Sequence, residues 1–481
     1  VQKSDQDVTI PHYWRSIDWE ELVRNFPPPP DYARTTGRWS AEQLRDHQNR
    51  LFLERMADGW RTPFYQKLWG AEGIEPGDIR SLDDIAKLPS FTSDDLKQAS
   101  AECPPYGSHV PFGSERLGTM PLKVQTSGGT TGLPRITLFD PIAWEIQGIQ
   151  TARAMFAQGA RPGDVVQVLF TTSLANAGWC AHHGIHAWLG GVSVTTGSGV
   201  VTPSERQLEF AKALGTNGWF GTAEYFGRLA EVAETIGFDL RSLPTKFLFG
   251  LLGVDTEGTV RSRLQEAWGA PFYDTWGSHE IGMVAFECDR QDGKHISEDT
   301  CYLEIVDADD GTPVPYGTEG NVVATNLARS VPLFIRYNMR DRMRMSDRSE
   351  CACGLCTRKL SLFLGRSDEM VKLRGTSVYP MACLSAVSRE PRATNDYVCV
   401  VYYDGSGLGR RDEMVIRIER KSPDIDAAAL AADMEAAFRK DLGVKVGVQV
   451  FEAGELTQFT KVGAEGKARR LIDLRKSGGR P

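Results

Sequence analysis

The chain has 481 residues, 41% of them hydrophobic and 25% charged, and carries a net charge of -8. That length exceeds what one simple core organises, so two or more domains are expected. The acidic balance excludes the basic field of a nucleic-acid binder, and the longest apolar stretch, FLFGLLGV at 247–254, is far too short to span a bilayer. The opening VQKSDQDVTIPHYW lacks the basic-then-apolar pattern of a secretion signal. Nine cysteines in so long a chain do not read as a disulfide framework. The expectation is a cytoplasmic protein with neither a nucleic acid nor a membrane among its partners.

Residues 1–110 read as mostly helical. The segment 40–60 opens with Ser40 as N-cap and an acid in the first turn, then spaces its apolar residues as a helix does. FPPPP at 26–30 is a stiff, extended connector. From about residue 120, strands and helices alternate. Strand-like 122–126 and 135–139 flank a Gly/Thr loop, 142–158 reads as helix, and 164–170 and 190–195 read as strands. Helices over 207–214 and 223–236 precede the strand at Phe247. This alternation predicts an α/β core with much parallel sheet. Strands dominate after 300, and a smaller α/β segment follows Leu364, with YVCVVYY at 397–403 and a helix over 426–442.

Most of the chemistry is concentrated in TSGGTTGLP at 126–134. Glycines let backbone N–H groups crowd around an anion, and Ser127, Thr130 and Thr131 add hydroxyl donors. No Lys-Ser/Thr follows the last glycine, and a strand comes next instead of a helix, so this is not a Walker loop. A second signal is the crowding of Cys288, Cys301, Cys351, Cys353 and Cys356 within 69 residues. With His295, the residues Cys288, Cys351, Cys353 and Cys356 offer more than enough ligands for tetrahedral zinc.

The segment at 127–134 resembles the phosphate loop of the adenylate-forming superfamily of acyl-CoA synthetases, luciferase and peptide-synthetase adenylation domains. Four later segments match in order. Trp276-Gly277-Ser278-His279-Glu280 resembles the aromatic-Gly-x-Thr/Ser-Glu motif, and Arg336–Asp341 the Arg-Tyr-x-x-Gly-Asp motif. Gly365–Asp368 resembles the hinge, and Glu465–Arg469 the catalytic-lysine loop. TPFY at 62–65, SLDDIAKL at 81–88, FTSDDL at 91–96 and 364–380 are similar to phenylacetate–CoA ligases.

The resemblance implies a large N-terminal α/β domain with a strand-rich subdomain (1–365), a hinge (366–368) and a small mobile C-terminal α/β domain (369–481). It implies ATP with Mg²⁺, CoA as co-substrate and a small carboxylic acid, in a homodimer. Ser127, Gly128, Gly129, Thr130, Thr131 and Gly132 would hold phosphates, with Thr131 also catalytic. Glu280 would ligate Mg²⁺, a hard cation suited to a carboxylate. Trp276 and Gly277 would face adenine, Asp341 the ribose diol, and Arg366 the ribose or phosphates. Lys467 would bridge carboxylate and α-phosphate, and rotation about Asp368 would bring Arg374-Gly375 towards the pantetheine channel. Some relatives have a Cys…His…Cys-x-Cys zinc site, which favours Cys288, His295, Cys351 and Cys353 as structural ligands, with Cys356 as a substitute.

Two departures stand near the nucleotide: His279 replaces Thr/Ser, and Arg340 replaces a glycine. Asp255 matches an acidic residue near adenine only loosely. Phe170, Trp179, His183, Phe220, Tyr225 and His279 are the candidate acyl-pocket residues, with His182 nearby; flat apolar walls suit an aromatic acid. The function read is an AMP-forming aryl or arylacetate–CoA ligase. A non-CoA acceptor (amine, cofactor or carrier-protein thiol) and a non-catalytic binding protein remain as alternatives.

Overall fold

The structure, a computed structural model, describes residues 11–111, 120–126, 135–373, 376–404, 411–462 and 468–476. The phosphate-loop candidates Ser127–Gly132, the pair Arg374-Gly375 and Lys467 lie outside the described residues.

The N-terminal layer contains α1 (Ala41–Trp60), α2 (Pro63–Ala71) and α3 (Ser93–Glu102). Ser40 caps α1 reciprocally with Gln43, the third residue after it, so the amide and not the neighbouring Glu42 closes the capping box. Next come a hairpin of β1 (Lys123–Thr126) and β2 (Ile136–Phe139), then α4 (Pro141–Ala157), β3 (Val165–Val168), α5 (Asn176–His183) and β4 (Val192–Thr195). The chain continues through α6 (Ser204–Leu214), β5 (Gly218–Thr222), α7 (Ala223–Thr235), β6 (Phe247–Leu251), α8 (Thr259–Trp268), β7 (Phe272–Ser278), β8 (Gly282–Glu287) and β9 (Lys294–Ile296). The expected alternation is present, with ends shifted by a few residues.

These strands build one eight-stranded sheet, which runs β4-β3-β5-β6-β7-β8-β9 and ends on the short strand Lys359–Leu360. The half from β4 to β7 is parallel, and from β7 onward the pairing is antiparallel. Phe247, Leu248 and Phe249 of β6 are fully buried, as expected for a central parallel strand covered on both faces. A separate three-stranded sheet, β10 (Cys301–Val306), β11 (Glu319–Asn326) and β12 (Tyr337–Arg344), packs its apolar face against the N-terminal layer. The Tyr65 hydroxyl fixes that contact by donating to Leu333 O and accepting from Ile335 N, each at 3.0 Å.

Beyond a small hairpin at 371–378 comes α9 (Cys383–Arg389). A four-stranded sheet follows, built from Ala393–Asp404, Arg411–Arg420, Gly447–Glu452 and Leu471–Asp473 and covered by α10 (Ala427–Leu442). One apolar cluster joins this part to α6, α7 and α8, so it docks on the helices of the large sheet. No helix among the described residues is long and apolar enough to cross a membrane.

Candidate active site and thiol cluster

The turn after β7 carries His279 and Glu280, where parallel pairing gives way to antiparallel. Crevices in open α/β sheets form beyond the carboxyl ends of strands, where successive connections part. Three distant segments meet there. Trp276, buried near the end of β7, donates from Nε1 to Asp341 Oδ2 at 2.8 Å. Arg366 donates to Asp341 Oδ1 at 2.7 Å and to both oxygens of Asp368 at 2.9 and 2.8 Å. The predicted aromatic, ribose acid, arginine and hinge acid therefore form one connected chain. Gly277 is required beside them, because a Cβ there would lie 2.1 Å from Gly282 O on β8.

Glu280 is buried in an ion pair with Arg135, and the Tyr337 hydroxyl lies 3.4 Å away. Burial raises its pKa, but the Arg135 charge outweighs that and holds it at about 2. Glu280 is thus ionised, as a ligand for a hard cation must be. Burial draws the His279 imidazole down to about 4, so the ring is neutral near pH 7. It meets Phe139 edge-on, with centroids 5.8 Å apart. Arg340, the other departure, has φ of 59°, the left-handed region that glycine adopts without strain, and its guanidinium reaches Asp94 at 3.0 Å. Asp255 is committed elsewhere: it accepts from Val260 N and Arg261 N at the start of α8.

Residues 375–475 match the family model "AMP-binding enzyme C-terminal domain". The phenylacetate-coenzyme A ligase of Aromatoleum evansii is 28% identical over 451 residues, covering 90% of this chain and 95% of its own. That of Thermus thermophilus is 28% identical over 442 residues, with 86% and 93% covered. Among solved structures, 2-hydroxyisobutyryl-CoA ligase in its postadenylation state with 2-HIB-AMP superposes with a TM-score of 0.78, at 25% identity, covering 95% of this chain and 92% of that one. The same enzyme with 2-HIB-AMP and CoA in the thioesterification state gives 0.68, at 27% identity and 94% coverage of each chain. Over 90% of its length the chain is thus similar to AMP-forming acid–CoA ligases of the adenylate-forming superfamily.

Within the chain the candidate acyl residues fall into separate groups. Phe170 and Phe220 touch, with centroids 4.9 Å apart, and Phe220 continues into Phe249 as buried core. The Tyr225 hydroxyl sits with Gln207 Nε2 at 2.9 Å and Ser204 Oγ at 3.2 Å. Trp179 lies beneath the Lys123 ammonium, 4.1 Å from its ring centre, and His182 Nδ1 is 3.0 Å from Ser193 Oγ. His183 stacks on Trp144 and bonds Glu145 at 2.8 Å. Glu145 also accepts from Tyr13 at 2.6 Å and Trp188 at 2.8 Å. Sequence reasoning missed both Glu145 and Arg135. Arg135 had one available signal, since it directly follows the phosphate-loop motif.

At the far end of β8, Cys288, His295, Cys351 and Cys353 bring their ligand atoms within 4.8 Å of one another. Cys288 and Cys351 sulfurs are 3.9 Å apart, and Cys353 Sγ is 3.4 Å from His295 Nε2. A tetrahedral zinc with bonds of about 2.3 Å to sulfur and 2.0 Å to nitrogen spaces such atoms about 3.5–3.8 Å apart, so the set fits one. Thr357 Oγ1, 2.8 Å from His295 Nδ1, orients the ring from behind. Cys356 stands outside the group.

Proposed function

We propose that the acid used by this AMP-forming acid–thiol ligase is aromatic, an aryl or arylacetic acid, and that the acceptor thiol is CoA. The observation that carries this is end-to-end similarity to enzymes named phenylacetate-coenzyme A ligase, over 90% of this chain and 95% of the Aromatoleum evansii protein. Aromatic or flat side chains support it: Phe170, Tyr225 and His279 each lie within three residues of the carboxyl ends of β3, β5 and β7.

In the first step a carboxylate oxygen attacks the α-phosphorus of ATP, and the bond to the bridging oxygen breaks to release pyrophosphate. Trp276 lies against adenine and Asp341 takes the ribose hydroxyls, exchanging its present donors for them. The loop at Ser127–Gly132 cradles the phosphates. Glu280 would hold Mg²⁺, which would supply positive charge against the pyrophosphate, and Lys467 would bridge the reacting oxygens. In the second step the CoA thiolate attacks the acyl carbon and AMP leaves. The part after residue 368 turns about Asp368 between the steps. Cys288, His295, Cys351 and Cys353 would hold zinc as a structural clip between β8, β9 and the turn at 351–353. Cytoplasmic residence and a homodimer belong to the same reading.

The test is an assay with Mg-ATP, CoA and a panel of aryl acids, with Lys467→Ala as control and products weighed by mass spectrometry. AMP together with an aryl-CoA, both lost in the variant, is the expected result. AMP or acyl-adenylate without thioester would transfer the reading to another acceptor, and turnover of aliphatic acids alone would remove the aromatic assignment.

A further inference from the structure

We infer that Lys359 is a positioning residue of the thiol cluster: its ammonium balances the charge of the zinc site and hydrogen-bonds one ligand, Cys351, keeping that sulfur on the metal and unreactive. The inference rests on the structural-zinc reading above and adds a residue that the cysteine and histidine spacing did not supply.

Lys359 lies on the short edge strand directly opposite His295 of β9, so the two side chains leave the same face of the pair. Its Nζ stands 3.4 Å from Cys351 Sγ and 2.6 Å from Asp292 Oδ1. Among the described residues it is the only Lys or Arg that hydrogen-bonds a sulfur of the four-ligand group. The turn before β9 makes room for it. Gly293 has φ of 120°, and a Cβ there would lie 3.3 Å from Lys359 Cβ and 3.4 Å from its Cδ, so glycine lets the lysine stem pass. Asp292 anchors the ammonium, Gly293 clears its path, and His295 ligates.

The chemistry of the ligand set calls for such a group. Three thiolates and a neutral imidazole around a dication leave one negative charge on the complex. Cys288, His295 and Cys351 are buried, and an uncompensated charge at that depth is costly. Lys359 places the opposite charge in contact with it. Asp292 claims the same ammonium, but its side chain is 57% exposed against 11% for Lys359, so water screens the acid far more than the lysine. An ammonium has three rotatable donors and can serve both partners at once.

An N–H donor on a thiolate also draws electron density from the sulfur, which blunts its attack on electrophiles. Cys353 is the internal contrast. It is half-buried and meets His295 Nε2, and among the described residues no basic side chain hydrogen-bonds it.

The experiment compares wild type, Lys359→Met and Lys359→Arg as full chains. The readouts are zinc affinity against a colorimetric chelator, the thiolate-to-metal band after Co²⁺ replaces zinc, and alkylation rates at Cys351 and Cys353 by mass spectrometry. Lys359→Met is expected to weaken zinc about 10–100-fold. Its cobalt band should move to longer wavelength, and Cys351 should alkylate faster relative to Cys353. Lys359→Arg keeps the charge and should restore most of the affinity. If Lys359→Met does not fold, Lys359→Gln, which keeps a polar contact for Asp292, carries the same expectations. Unchanged zinc affinity in the folded uncharged variant overturns the proposal. So does an equal loss in Lys359→Arg, which would mean that the stem packs and the charge does nothing, or equal acceleration at both cysteines. A wild type that takes up no zinc removes the zinc reading itself, and the role of Lys359 with it.

Discussion

The two buried polar clusters on the antiparallel half of the large sheet are built on opposite plans. Around Glu280 the groups are hard and charged, and each is already engaged: Glu280 with Arg135, Asp341 with Trp276 and Arg366, and Arg366 with Asp368. Around Cys288 the donors are soft and crowd one point, and the ring of His295 is anchored from outside by Thr357. Internal partners satisfy the first cluster, but among the described residues they leave Arg135 Nη1 and His279 Nε2 buried and unpaired at its rim, so it is suited to trade partners when a ligand comes. The second meets a cation only at its edge, where Lys359 Nζ stands 3.4 Å from Cys351 Sγ, and its four crowded ligand atoms suit it to hold a single ion permanently. Burial is similar in both; the chemistry of the donors separates a site that works from a site that fastens.

The sharpest way to break this comparison is to strip the fastening cluster. Cys353→Ser should take the protein from about one zinc per chain to almost none, and lower its thermal midpoint, because metal affinity here is folding free energy. Full stability with no metal in the purified wild type would show the cluster to be four ordinary thiols.

The working cluster should instead announce itself through pH. His279 is held at about 4 against an ordinary 6.5, so between those values the unfolded chain binds the extra proton. Stability is therefore complete above pH 6.5 and is lost as pH falls towards 4, by at most about 3 kcal/mol. Glu280, held at about 2, adds a further loss between 4.5 and 2 by the same sign. Urea midpoints of wild type and His279→Gln should converge as pH drops from 6.5 to 4.5. Parallel curves would mean that the imidazole is not buried neutral.

A smaller effect is expected from Asp341→Asn, which keeps the shape but removes the charge shared by Trp276 and Arg366. The KM for ATP should rise about tenfold through weaker ribose bonding. An unchanged KM would detach Asp341 from the nucleotide. The smallest lies at the docked C-terminal part. Arg470 is buried against Asp396 and Tyr397, and its Nη2 stands 3.5 Å from Glu224 on α7. Glu224→Gln should cost about 1 kcal/mol of docking and raise amide exchange over 468–476 severalfold. Identical exchange would show that the apolar contacts alone hold the two parts.

Local periodicity made the elements readable: the 3.6-residue spacing of 41–60, the apolar run of β6 and the alternation after 120 depend only on near neighbours. Motif residues such as Trp276, Glu280 and Asp341 were legible because each sits in a recognisable short pattern. Arg135 and Glu145 were not. Glu280 lies 145 positions from Arg135, and Tyr13, Trp188 and His183 lie 132, 43 and 38 positions from Glu145; spacing along a chain says nothing about such pairings. Phe170, Trp179, Phe220 and Tyr225 were chosen as flat walls, His183 as a polar option and His279 for its place beside Glu280; side-chain type cannot separate a pocket wall from core, and Phe220 packed into core. The meaning of Arg340 was likewise hidden until its backbone angle explained the glycine that usually stands there.

The bond from Tyr13 to Glu145 has a practical consequence for anyone preparing the protein. Trimming the chain as far as residue 20 to improve expression would look harmless, since among residues 11–20 only Ile17 is buried. It would remove the hydroxyl that shares a buried acid with His183 and Trp188. The shortened enzyme would then carry a re-aimed imidazole beside Trp144, and a change of acid preference in it would be an artefact of tailoring, not a property of the natural chain.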